Sequence, residues 1–165
     1  MELFVENQLE TKKLAEIFGE NIRKKGAFVS LSGEIGAGKT AFARYLIKSL
    51  GVIENVTSPS FVILNEYKTE YFPIYHFDLY RLEETGVGSI KEELREYSKE
   101  NILTLVEWAN FGEDELHVNK IKINIKYDIK NYSEKRTFSF EGNTPYYEDV
   151  IKKTVKDFNK RKGQD

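Results

Sequence analysis

The chain contains no cysteine. Disulfides and thiolate metal sites are therefore excluded, and a reducing compartment is compatible with it. It has three prolines and one tryptophan, with no repeat, low-complexity segment or linker. No apolar run is long enough to span a membrane, and Met1 to Asn7 lacks the apolar stretch of a signal peptide. The expectation is a cytoplasmic protein with no membrane partner. An excess of one charge is also missing: 25 basic against 27 acidic residues give a formal net charge of −2. That balance exerts no global pull on nucleic acid. What is present is a globular composition, 40% hydrophobic and 13% aromatic over 165 residues. One domain spanning 1–165 is expected, long enough to bury a core without staples.

The most informative segment is Gly33-Glu34-Ile35-Gly36-Ala37-Gly38-Lys39-Thr40. It fits G-x-x-x-x-G-K-S/T, the phosphate-binding loop of P-loop nucleotidases. Glycines let backbone N–H groups approach phosphate oxygens. Lys39 supplies a point charge, Thr40 a hydroxyl for magnesium, and the following helix turns its positive end to the same anion. The flanks suit the motif. Ala27 to Ser32 reads as a short buried strand, and Lys39 to Leu50 as a helix stopped by Gly51.

Elsewhere, Thr11 to Lys25 reads as an amphipathic helix capped by Thr11 and ended by Gly26. Phe61 to Tyr67 and Pro73 to Tyr80 read as an antiparallel pair, because the polar turn at Lys68-Thr69-Glu70 is too short for a parallel crossover. Ser89 is placed to cap a helix through Tyr97, with Glu92 completing a capping box. Ile102 to Glu107 is a continuous apolar run ending in an acid, as in a strand covered on both faces. Val118 to Tyr127 and Thr137 to Phe140 alternate like a hairpin with one wet face. Thr144-Pro145 starts a helix carrying Tyr146, Val150, Ile151, Val155 and Phe158, and Lys160 to Asp165 is expected to fray. The fold class is α/β: a P-loop nucleotidase-like mixed β-sheet with flanking helices, antiparallel hairpins being added to a parallel centre. The helix from about residue 144 is an extension.

Magnesium takes oxygen ligands, one or two from protein and the rest from phosphate and water. Two acids are candidates. Asp78 lies in His76-Phe77-Asp78-Leu79-Tyr80-Arg81, and is either a metal acid or a solvated carboxylate on an edge strand. Glu107 closes the apolar run and suits the ligand position at a strand's carboxyl end. His76 is either a general base or, more commonly for a lone strand histidine, a hydrogen-bonded side chain. Arg81 pairs with a phosphate or with Asp78. Thr57-Ser58-Pro59-Ser60 is a turn or a switch-like hydroxyl loop. Trp108 packs beside a nucleotide or closes the core.

Together these segments resemble the TsaE (YjeE) family of bacterial P-loop ATPases, needed for threonylcarbamoyladenosine (t6A) modification of tRNA. The P-loop is shared by many families. The combination with Val56 to Phe61, His76 to Leu82 and Leu105-Val106-Glu107-Trp108 is specific, in order and spacing, over roughly residues 11 to 110. The resemblance implies that Gly36, Ala37, Gly38, Lys39, Thr40 and Ala41 wrap the phosphates of ATP. It implies that Thr40 and Asp78 hold Mg2+, that Glu107 lies at the metal or the attacking water, and that Trp108 sits beside them. It also implies two partner proteins, TsaB and TsaD, the carbamoyl transfer belonging to TsaD. Departures are Ser60 where the family commonly has threonine, a loose match over Gly86 to Tyr97, and a weak match beyond Asn110. Arg136, in the second hairpin strand, is the nucleotide-contact candidate there.

Two other classes remain open on the residues alone. A small-molecule kinase needs an arginine-bearing lid, for which Arg81 and Arg95 flank the most lid-like segment. A non-catalytic ATP-binding module needs only one metal acid. No N-K-x-D guanine motif occurs, which leaves ATP as the default. Contact with tRNA is expected to be indirect or weak. Lys120, Lys122, Lys126 and Lys130 read first as a solvated strand face and second as a basic patch.

Overall fold

The computed structural model describes residues 1–57, 59, 63–80, 88–108, 119–127 and 134–162. Its strands are β1 (Glu2–Val5), β2 (Gly26–Ser32), β3 (Leu64–Tyr67), β4 (Ile74–Asp78), β5 (Ile102–Glu107), β6 (Ile121–Tyr127) and β7 (Arg136–Gly142). Its helices are α1 (Gln8–Ile22), α2 (Lys39–Ser49), α3 (Lys91–Glu96) and α4 (Pro145–Arg161). The seven strands form one sheet in the order β1-β7-β6-β2-β5-β4-β3. β6, β2, β5 and β4 run parallel, with β2 at the centre between β5 and β6. β3 is added antiparallel to β4, β7 to β6, and β1 to β7. The mixed architecture expected from the sequence is thus present, including both antiparallel pairs.

Two apolar layers sandwich the sheet. The larger lies under α1, α2 and α4. Phe18, Phe42, Phe138 and Phe140 meet there, with ring centroids 5.4 Å apart for Phe42–Phe138 and 6.1 Å for Phe18–Phe42. The smaller holds Phe28, Phe77, Leu79, Leu94 and Val106 on the face that α3 covers. Strand parity explains the division. Ile74 on β4 and Leu103 and Leu105 on β5 point to the large layer, while Phe77 and Val106, at odd offsets, point to the small one.

Several local expectations are corrected. α1 begins at Gln8, and its cap is Asn7, whose Oδ1 accepts from Glu10 N at 3.0 Å. Glu10 reaches back to accept from Glu6 N at 2.8 Å. Thr11 lies inside the helix, buried, with its hydroxyl donating to Asn7 O. Either residue type can cap, so only the register of the whole apolar face fixes the start. The helix ends at Ile22, and Gly26 opens β2 instead of closing α1. α3 is preceded by a 3-10 turn at Gly88–Ile90, and its N-cap position is Ile90, not Ser89. β1 was not anticipated, although Leu3 and Val5 alternate inward along it.

The C-terminal helix starts at Thr144-Pro145 as expected; Thr144 Oγ1 accepts from Tyr147 N at 3.2 Å. Residues 160–162 are not frayed. Arg161 grips Glu20 at 2.8 Å, Lys13 Nζ donates to Arg161 O at 2.6 Å, and Lys162 Nζ donates to Phe4 O at 2.8 Å. Lys120 is buried just before β6, so it belongs to no exposed basic strip; Lys126 is exposed. Among the described residues no helix is long and apolar enough to cross a membrane. Ser58, Ser60, Phe61, Arg81, Val118 and Lys130, with residues 81–87, 109–118 and 163–165, lie outside the described residues.

Candidate active site

The loop of residues 33–38 joins the C-terminal end of β2 to α2. Gly33 has φ 141°, and a Cβ there would lie 2.3 Å from Ile125 O on the neighbouring strand. Only glycine fits so close an approach. Gly38 is the N-cap of α2, with φ 108° and no side-chain cap. A helix start without a capping side chain leaves its first N–H groups for an anion. Ala37 N donates to Glu34 O at 3.1 Å, closing a turn within the loop.

Lys39 is 4% exposed, and its ammonium donates to Gly33 O at 2.6 Å and to Glu34 O at 2.9 Å. It also lies 3.7 Å from the centroid of the Trp108 ring. Burial lowers the pKa of this amine, while the carboxylates of Glu107 and Asp78 push it back up.

The acids arrive from adjacent parallel strands. Asp78 is the register partner of Glu107, and Glu107 of Leu31. Parity puts His76 and Asp78 on the same side of β4 as Ile74, and Glu107 with Leu103 and Leu105 on β5, all facing the α2 layer. Glu107 thereby meets the first turn of α2. Thr40 Oγ1 donates to Glu107 Oε2 at 2.9 Å. The other oxygen, Oε1, lies 2.7 Å from His76 Nε2. Glu107 and His76 are both 0% exposed. His76 Nδ1 has no partner among the described residues. An orphaned buried N–H costs more than an orphaned lone pair, which favours the tautomer with the proton on Nε2, donated to Glu107.

Asp78 is 3% exposed; its Oδ1 accepts from Tyr80 N at 3.0 Å. Trp108 follows Glu107 with φ 61°, its N–H donating to Leu31 O at 3.2 Å. That left-handed turn swings the half-buried indole over Lys39 and against Tyr80, whose ring centroid is 5.2 Å away.

Lys39, Thr40, Asp78, Glu107 and Trp108 thus converge from three segments far apart in sequence. His76, read as either a base or a structural side chain, is the buried hydrogen-bond partner of Glu107. Arg95 is not brought in: it stands exposed on α3, across the sheet from α2. A cleft beside the loop escaped sequence reasoning. Gln8, Thr11, Gly38, Ala41, Glu134 and Arg136 line it. Gln8 and Thr11 carried no motif, and β7 reaches them only through sheet order. Arg136 reaches the loop itself, donating from Nε to Ala37 O at 3.1 Å.

A central parallel strand, a glycine loop and an uncapped helix, with buried acids on the next two strands, define a P-loop nucleotidase-like α/β protein. The family model described as threonylcarbamoyl adenosine biosynthesis protein TsaE matches residues 5–138. The chain belongs to the TsaE family. Relatives named tRNA threonylcarbamoyladenosine biosynthesis protein TsaE include one from Rickettsia felis, 39% identical over 75% of this chain and 71% of its own length. The Bacillus subtilis relative is 38% identical over 73% of each chain. That of Haemophilus influenzae is 34% identical over 85% of each. The crystal structure of Bacillus subtilis YdiB superposes with a TM-score of 0.71 and 28% identity, over 95% of both chains. The family match runs beyond the weak region that starts near residue 110 and takes in Arg136.

Proposed function

We propose that this chain binds ATP with magnesium and hydrolyses it in support of tRNA threonylcarbamoyladenosine biosynthesis, working in complex with TsaB and TsaD in the cytoplasm. Membership of the family carries the pathway. The observation that carries the chemistry is the chain Thr40–Glu107–His76 at the mouth of the glycine loop.

The donor set fits magnesium. Metal–oxygen distances of about 2.0–2.1 Å at right angles separate neighbouring ligands by about 2.8–3.0 Å. Thr40 Oγ1 and Glu107 Oε2 stand 2.9 Å apart. Among the described residues no three His, Asp or Glu side chains form a metal cage of their own. The remaining ligands would be phosphate and water, with Asp78 as a further acid. Bound magnesium would neutralise charge on the transferring phosphate. Lys39 would exchange its two loop carbonyls for phosphate oxygens, the Trp108 face holding its stem. Glu107 orients water or accepts its proton. His76, donating to Glu107, fixes that carboxylate in rotation. The cleft along Gln8 and Thr11 opens beside Gly38 and Ala41, where a base and ribose would follow the phosphates. Intrinsic hydrolysis is expected to be slow until partners complete the site.

The test is ATP turnover with TsaB and TsaD present. Lys39→Ala and Glu107→Ala are expected to abolish hydrolysis; wild-type rates in both would sink the mechanism. ATP and a non-hydrolysable analogue supporting equal t6A formation would reassign the chain as a non-catalytic module.

A further inference from the structure

The glycine loop is held from behind, at alternate residues, by the β6–β7 hairpin. Gly33 packs against Ile125 O of β6, the approach that excludes a Cβ there. Two residues on, Ile35 O accepts from the Tyr127 hydroxyl at 3.2 Å. Two further on, Ala37 O accepts from Arg136 Nε at 3.1 Å. Tyr127 and Arg136 are direct register partners across the hairpin. The guanidinium lies 5.0 Å from the Tyr127 ring centroid, so each anchor braces the other.

The consequence follows from peptide geometry. In a planar trans peptide the carbonyl of one residue and the N–H of the next point in opposite directions. Drawing Ile35 O back to Tyr127 therefore turns the Gly36 N–H away from the hairpin. Drawing Ala37 O back to Arg136 turns the Gly38 N–H the same way. These are the loop amides that a phosphate would need, and both belong to glycines whose positive φ leaves them conformationally free without an anchor.

We infer that Tyr127 and Arg136 are positioning residues, a carbonyl clamp that preorganises the loop amides for the β-phosphate of a bound nucleotide. Arg136 acts on the loop backbone and not through contact with the nucleotide base. The inference rests on the nucleotide reading above and assigns a specific task to the hairpin within it.

Affinity for ADP and for AMP, with magnesium, separates the possibilities, because the ratio of the two dissociation constants isolates what the β-phosphate gains. Loss of the neutral Tyr127 hydrogen bond is worth up to about tenfold, and loss of the charge-assisted Arg136 bond at least as much. Tyr127→Phe keeps the ring and is expected to weaken ADP binding about threefold; Arg136→Met about tenfold. AMP affinity should change less than about twofold in both. The AMP-to-ADP ratio therefore falls. Equal weakening of ADP and AMP would make Arg136 a wall of the base cleft and overturn the clamp. An unchanged ratio in both variants would also overturn it. If Arg136→Met does not fold, Tyr127→Phe alone decides. Failure of the wild-type chain to bind ADP would instead overturn the nucleotide reading, and the clamp with it.

Discussion

The two halves of the sheet are built on opposite terms. The strands β2, β5 and β4 are parallel, and β4 and β5 end in buried polar groups. His76, Asp78 and Glu107 are at most 3% exposed, and Lys39 faces them from α2. In β6, β7 and β1 the buried positions facing the helices are apolar: Leu3, Val5, Ile121, Ile123, Ile125, Phe138 and Phe140. Buried charges cost stability unless paired and hydrogen-bonded. The parallel half accepts that cost at the candidate site, and hydrogen-bonds Lys39 to loop carbonyls, Asp78 to the Tyr80 N–H, and Glu107 to Thr40 and His76. The antiparallel half offsets it with an aromatic core and lends two side chains to the back of the loop. A mutation should therefore damage turnover in one half and stability in the other.

The largest effect is expected at Glu107. Glu107→Gln keeps a hydrogen-bonding group of the same size but removes the charge. ATP turnover should fall about 10²–10⁴-fold, the range for a lost general base. ADP affinity measured alongside should change far less; an equal loss in both would place Glu107 in binding instead of hydrolysis. In the other half, Phe138→Ala should cost about 3–5 kcal/mol by emptying the site between Phe42 and Phe140. Denaturant unfolding reads it. Turnover per folded molecule should be retained, and a selective loss of turnover would break the contrast between halves.

His76→Leu sharpens the same contrast at a fully buried residue beside Glu107. Removing a partner of a metal-site carboxylate lowers activity or metal affinity by about 10–100-fold. His76→Gln, whose amide can still donate to Glu107, should recover most of it. Equal defects in both variants would show that the imidazole acts through packing alone. A smaller effect belongs to the helix beneath the hairpin. Thr144→Ala should cost about 1 kcal/mol of stability by removing the cap of α4, with no change in turnover.

A pH dependence is expected far from the site. Burial pushes Tyr146 up to about 12, its hydroxyl donating to Gly26 O. A phenol whose folded pKa exceeds the unfolded value of about 10 favours folding while it stays protonated. Its contribution is thus constant below about pH 10 and is lost as pH rises from 10 to about 12. Wild type and Tyr146→Phe compared by denaturation should converge across that window; a constant difference would refute the assignment.

Much of the site was legible because it is written in local patterns. The glycine loop needs special backbone conformations in a fixed order, so its residues are contiguous. Ile102 to Val106 reads as a doubly covered strand because it is apolar but for Thr104, and that reading places Glu107 at a carboxyl end. The boundaries were less legible. Thr11 looked like a cap because threonine caps well, yet Asn7 does so too and wins through the register of α1 on the sheet. β1 was invisible because four residues with two inward side chains carry too little periodicity to stand out.

The sequence by itself determined the loop on which the proposed chemistry rests, since its glycines, lysine and hydroxyl are adjacent in the chain. It determined family membership, and which strand faces hold His76, Asp78 and Glu107, since alternation along a strand is a local property. Only the tertiary structure decided which acid meets Thr40. That depends on β5 lying next to β2 with β4 one strand further out, an order set by packing between distant segments. Only tertiary structure could bring Arg136 and Tyr127 beneath a loop roughly a hundred residues earlier. A hairpin's register is local, but the neighbour it chooses in a sheet is not.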